Sequence, residues 1–152
     1  MVSPYKPPPI ESATDPIHSP ADMGQRWRAL MGELGFGERL LRFAFVGPDR
    51  RLIKMLGEAE IRLSPEPVIA ENLLSALKTV LGDDLPAGST VALLLTRPGR
   101  GPISNADRRW ATLLTETAAR LGVPIEPFFR ANDESLVQVE PEPDLEEVAV
   151  GR

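Results

Sequence analysis

The run Thr90-Val91-Ala92-Leu93-Leu94-Leu95-Thr96 constrains the fold more than any other stretch of this chain. It carries no charge, and the residues between its two threonines are apolar without interruption. A strand with one wet face alternates polar and apolar positions, whereas an unbroken apolar run bounded by turns reads as a strand buried on both faces. The turns are present: Asp83-Asp84-Leu85-Pro86-Ala87-Gly88 before the run and the glycine- and proline-rich residues 97–103 after it. Such a strand belongs at the centre of a sheet, and both faces of that sheet then need cover.

Helical patterns on either side of the run supply the cover. Ser19 caps a first helix, Pro20 suits its first position, and Asp22 completes the start. Met23, Trp27, Leu30, Met31 and Leu34 recur at helical spacing up to Gly35, so a helix is expected over about 20–34, with Trp27 in the core. A stripe from Val68 through Leu74, Leu77 and Leu81 predicts a second helix over 67–81, ended by Gly82. Ser104-Asn105-Ala106-Asp107 is a capping signature for a third, running past Trp110 and Leu114 to Leu121, with Gly122 at its end.

Between the first two helices, residues 40–46 and 51–56 read as a hairpin around Gly47-Pro48-Asp49-Arg50, and Ile61 with Leu63 as a short third strand. Residues 123–129 and 135–139 read as closing strands, the first broken or at an edge because of Pro127. The expected fold is therefore α/β: a three-layer-like mixed sheet with an N-terminal helix, a hairpin and two right-handed crossover helices. One domain of 20–139 is expected. Residues 1–19 hold six of the sixteen prolines, counting Pro20 at the boundary, and read as a disordered tail; Pro7-Pro8-Pro9 is either a stiff spacer or a polyproline ligand. Residues 140–152 read as a disordered acidic tail.

Composition removes whole classes of chemistry. No cysteine is present, so disulfides and thiolate metal sites are excluded, and His18 is the only histidine. A serine–histidine–aspartate machine would have to draw its base from that one residue. Ser104 and Thr96 have no base nearby in sequence, and Asp83, Asp84 and Asp107 are solvated loop acids or a cap before they are magnesium ligands. No catalytic residue, metal or cofactor is expected. The net charge of −5 lies in the ends: residues 21–139 hold fifteen basic and fifteen acidic side chains, while five acids follow from Glu140 against Arg152. A neutral body is a poor general nucleic-acid binder, since such affinity comes mainly from neutralising phosphates. With no apolar stretch long enough for a signal peptide or a membrane span, a cytoplasmic protein is expected.

One stretch has the make-up of a ligand loop. Residues 97–109 leave the end of the central run and enter a helix N-terminus, where open α/β sheets commonly place ligands. Free backbone amides and the helix dipole favour an anion there. Gly99 and Gly101 permit close approach, Ser104 opens the helix, and Arg97, Arg100 and Arg108 offer forked donors to a phosphate-bearing small molecule. The competing reading is a capped helix start beside ordinary surface arginines. The glycine spacing fits neither a Walker loop nor a dinucleotide fingerprint.

The same residues carry a resemblance. Gly99, Ser104 and Asp107, with Leu121-Gly122-Val123-Pro124-Ile125 beyond them, make residues 40–139 resemble the RadC branch of the JAB/MPN domains. In that family a buried strand ends in His-x-His-Pro-Ser-Gly, Pro-Ser-x-x-Asp opens the next helix, and the histidines and aspartate hold zinc. Here the histidine positions fall on Leu94 and Thr96, so the resemblance implies a metal-free domain, a pseudoenzyme without the hydrolytic activity of some members. Arg97-Pro98-Gly99-Arg100-Gly101 ahead of Asp107-Arg108-Arg109-Trp110 is also similar to short actinobacterial proteins with that loop and helix.

Three functions follow as expectations. The first is a non-catalytic protein-interaction or scaffold module, as metal-free JAB relatives are implied to be, with the acidic tail and its Leu145, Val148 and Val150 available to a basic partner. The second is a small-anion or nucleotide-binding domain using the loop at 97–109. The third is a nucleic-acid-associated protein, which the charge balance disfavours.

Overall fold

The computed structural model describes residues 6–142. A short 3-10 turn, Ile10–Thr14, precedes helix α1 (Pro20–Met31), strands β1 (Leu40–Val46) and β2 (Leu52–Glu60), helix α2 (Pro67–Asp83), strand β3 (Thr90–Thr96), helix α3 (Asn105–Leu121) and strands β4 (Phe129–Ala131) and β5 (Leu136–Gln138). The sheet order is β2-β1-β3-β4-β5. β1 is antiparallel to both β2 and β3, β3 and β4 are parallel, and β5 returns antiparallel to β4. The fold is α/β with a mixed sheet, and the uncharged run at 90–96 is its middle strand.

Alternation along β3 divides the core in two. Val91, Leu93 and Leu95 face α2 and α3, where they join Leu74, Leu77, Trp110 and Leu114. Ala92 and Leu94 face the other way, toward Trp27 and Met23 of α1, and toward Ile17. All five apolar residues of the run are fully buried, each leucine adding about 2 kcal/mol of apolar transfer. Among the described residues, no helix is long and apolar enough to cross a membrane.

Several boundaries differ from those expected, each for a local reason. Helix α1 stops at Met31, because Gly32 already adopts a left-handed backbone (φ 68°) and closes the last turn on the Arg28 carbonyl at 3.0 Å. Helix α2 passes through Gly82 and ends one residue later, at Asp83. No third strand forms at Ile61 and Leu63, because β2 itself runs to Glu60. Phe43 pairs with Gly57 but Phe45 pairs with Ile53, so β2 carries extra residues in a bulge that lengthens and bends it. The first closing strand shrinks to Phe129–Ala131; before it, only a single bridge joins Ile125 to Val91 between Pro124 and Pro127.

The largest difference lies at the N-terminus. A disordered tail through residue 19 does not describe residues 10–17. Ala13 and Ile17 are buried, Ile17 donates its amide to the Arg50 carbonyl at 2.8 Å, and Arg50 Nε donates back to the Ile17 carbonyl at 2.9 Å. Two apolar side chains and one arginine suffice to dock the segment despite its prolines. At the other end, Glu142 donates its amide to Thr112 Oγ1 at 2.7 Å. The acidic tail beyond it, with Leu145, Val148 and Val150, lies outside the described residues.

Candidate functional site

The loop at 97–104 folds inward onto its own acids. Ser104 caps α3: its hydroxyl accepts the Asp107 amide at 3.1 Å, and the Asp107 carboxylate accepts the Ser104 amide at 2.9 Å. That reciprocal box places the Asp107 carboxylate in the interior, with no exposed surface. Arg97 grips it through two bonds, Nε to Oδ1 at 2.9 Å and Nη2 to Oδ2 at 2.8 Å, and Arg130 of β4 adds Nε to Oδ2 at 3.3 Å. Burial pushes the Asp107 carboxyl up. The Arg97 and Ser104 hydrogen bonds and the charges of Arg97 and Arg130 outweigh that and hold it below the usual aspartate value. Arg97 is held up by its bonds to Asp107, whereas burial pulls Arg130 down, in keeping with its single longer bond.

The glycine amides are engaged in the same way. Gly99 donates to Asp133 Oδ2 at 2.9 Å and Gly101 donates to Glu134 Oε1 at 2.6 Å. The Gly101 carbonyl accepts from Asn132 Nδ2 at 3.0 Å. Both glycines have positive φ, 103° and 99°, which presents these amides to the turn after β4. Asp133 also accepts the Phe36 amide at 3.3 Å, tying the loop before β1 to the loop after β3. Those amide bonds lower the Asp133 carboxyl.

The expected anion-site residues thus part company. Arg97, Ser104, Gly99 and Gly101 come together, but around Asp107, Asp133 and Glu134 rather than around open space. Arg100 points outward, its side chain 77% exposed and 3.9 Å from Glu134. Arg108 is exposed and lines a shallow cleft with Ile103, Gln138 and Glu140. Leu94 and Thr96, the positions that correspond to zinc ligands in the RadC resemblance, are both fully buried, and Asp107 is enclosed by guanidinium groups. Arg130 and Asp133 escape a motif search; the available signal is a charge inside the apolar stretch 128–131, which demands a buried partner.

A second feature lies on the α1 side of the sheet. The 3-10 turn and β2 form the walls of an apolar groove of about 620 Å³, with Ala44 and Leu30 among its lining residues. Ile10, Met55 and Leu56 line it while remaining 59%, 43% and 49% exposed, and Glu11 contributes a carboxylate. β2 is an edge strand, and its bulge brings two consecutive large apolar residues, Met55 and Leu56, to the surface.

No protein-family model matches this sequence, and no curated protein is found to be similar to it.

Proposed function

We propose that this domain is a non-catalytic protein-interaction module that takes an apolar segment of a partner protein, bearing a basic residue, into the groove between the 3-10 turn and β2. The observation that carries the proposal is the ring of exposed Ile10, Met55 and Leu56 around a concave apolar surface. Apolar side chains grouped on a concave face at a sheet edge are typical of peptide-docking surfaces. Glu11 supplies the charge that selects a basic residue over an acidic one. The RadC-like resemblance fits the same reading, because a JAB-like domain with Leu94 and Thr96 in place of zinc ligands would act as a scaffold. The alternative of a nucleotide bound at 97–109 has less support, since the glycine amides and Arg97 already hold the chain's own carboxylates.

Selection of a displayed random-peptide library against the purified domain tests the reading. The enriched peptides should combine apolar residues with a lysine or arginine, and should bind Leu56→Asp at least about tenfold more weakly, as expected for a buried anchor. Failure to enrich any sequence, or peptides that bind Leu56→Asp as well as the parent, overturns it.

A further inference from the structure

β2 has nine residues, against seven in β1 and in β3, and it stands at an edge of the sheet. In an antiparallel pair every second residue turns its N–H and C=O away from its neighbour. Among the described residues, no segment other than β1 bonds to the backbone of Leu52–Glu60. Edge strands are often blunted by proline, and β2 contains none. The bulge divides the strand in two. Gly57, Glu58, Ala59 and Glu60 pair in unbroken register with Phe43, Arg42, Leu41 and Leu40, while Met55 and Leu56 belong to the bulge and line the groove. Leu40 and Arg42 alternate in step with Ala44, another groove residue, so Glu58 and Glu60 opposite them share the groove's face of the sheet. Both glutamates are exposed, and Arg42 bonds only Oε2 of Glu58.

We infer that the partner segment enters as an added strand on the free edge of β2. Its backbone pairs with residues 57–60, two basic side chains at alternate positions lie beside Glu58 and Glu60, and its apolar residues continue into the groove. This rests on the groove reading above and adds to it the partner's backbone conformation and charge pattern. Main-chain bonds to an exposed edge give such a complex affinity, and alternate side chains give it selectivity. Opposite charges across a strand pair attract, and like charges directly opposite each other repel. Two carboxylates at alternate positions on one face therefore favour a segment with lysine or arginine at alternate positions. Glu11, on the groove wall, has the same sign. The same carboxylates turn away a second copy of this chain, because antiparallel self-pairing about Ala59 sets Glu58 opposite Glu60. The other edge strand, β5, has only three residues and offers no comparable ladder.

The probe is the peptide that binds the full chain most tightly in the displayed-library selection, made synthetically. Methylating its backbone nitrogens one at a time should weaken binding about tenfold or more at alternate positions and little at those between, as loss of ladder bonds requires. In the unsubstituted protein, amides at alternate positions within residues 57–60 should exchange more slowly once the peptide is bound, a readout that does not depend on how any variant folds. Glu60→Lys should weaken binding about threefold or more, and a peptide with glutamate at the facing basic position should restore it. A peptide that needs Leu56 but shows no alternation on methylation, and leaves exchange at residues 57–60 unchanged, overturns the added strand while the groove reading stands. Slowed exchange at residues 57–60 that grows with protein concentration in the absence of peptide assigns the edge to a second copy and overturns it as well. If the selection enriches no peptide, both readings fall together.

Discussion

Arg97 and Asp107 form a two-bond ion pair in the interior, 2.9 and 2.8 Å long, in which the aspartate is also the third residue of α3 and closes its capping box with Ser104. One carboxylate therefore starts a helix and anchors the loop after the central strand. Removing its charge leaves Arg97 and Arg130 facing each other without compensation. Asp107→Asn should lower the unfolding free energy by about 3–5 kcal/mol, the cost of breaking rather than replacing a buried pair. Urea unfolding measures it, and a loss below about 1 kcal/mol would show that solvent reaches the pair.

Acid should act through the three carboxyls that the fold holds low, Asp107, Glu126 and Asp133. Burial raises Glu126, but its bonds from Arg50 and Thr90 outweigh that and hold it low, as Arg97 and Ser104 do for Asp107. A carboxyl with a depressed folded pKa stabilises fully above its unfolded value and loses that contribution as pH falls through the folded value. Stability should be flat near neutrality and fall below about pH 4. Glu126→Gln should start lower and lose less between pH 5 and pH 2. An unchanged acid slope in Glu126→Gln would exclude Glu126 as a source.

The two tryptophans should respond differently to phenylalanine. Trp110 Nε1 donates to the Arg62 carbonyl at 3.0 Å, whereas Trp27 Nε1 is buried without a partner. Both rings are fully buried, so the loss of volume is similar. Trp110→Phe should cost about 1 kcal/mol or more beyond Trp27→Phe, because only it breaks a hydrogen bond. Equal losses in chemical unfolding would mean that Trp27 has an ordered water as its acceptor.

Gly57 is required by its neighbour on β1. A Cβ there would collide with Cζ of the Phe43 ring, next to the bulge. Gly57→Ala should cost about 1–3 kcal/mol through overpacking. In a Phe43→Leu background the same substitution should cost less, a coupling that a double-mutant cycle reads directly. A cost independent of residue 43 would place the strain elsewhere.

Much of this arrangement is legible residue by residue. The uncharged run at 90–96 marks the central strand because two-sided burial leaves no polar position. Ser104 and Asp107 mark the start of α3 because capping depends on neighbours three residues apart. What escapes is set by contacts distant in sequence. Nothing near Gly99 or Gly101 announces that Asp133 and Glu134 will take their amides, so a loop composed like an anion site closes on acids some thirty residues later. The groove is equally hidden: its walls come from residues 10–14 and 52–56, and its exposed leucine and methionine depend on a bulge that the hairpin pattern does not encode.

If a partner docks on the β2 side of the molecule, photo-crosslinking in cells with the reactive side chain at position 56 or at position 68 should distinguish that side from the opposite one. Leu56 borders the groove, whereas Val68, which is more exposed still, sits on α2, which packs on the opposite face of the sheet. We predict a discrete crosslinked product from position 56, mapping to an apolar, base-containing segment of one protein, and none from position 68. Products from position 68 alone, or from neither position, would rule out the groove as the docking surface.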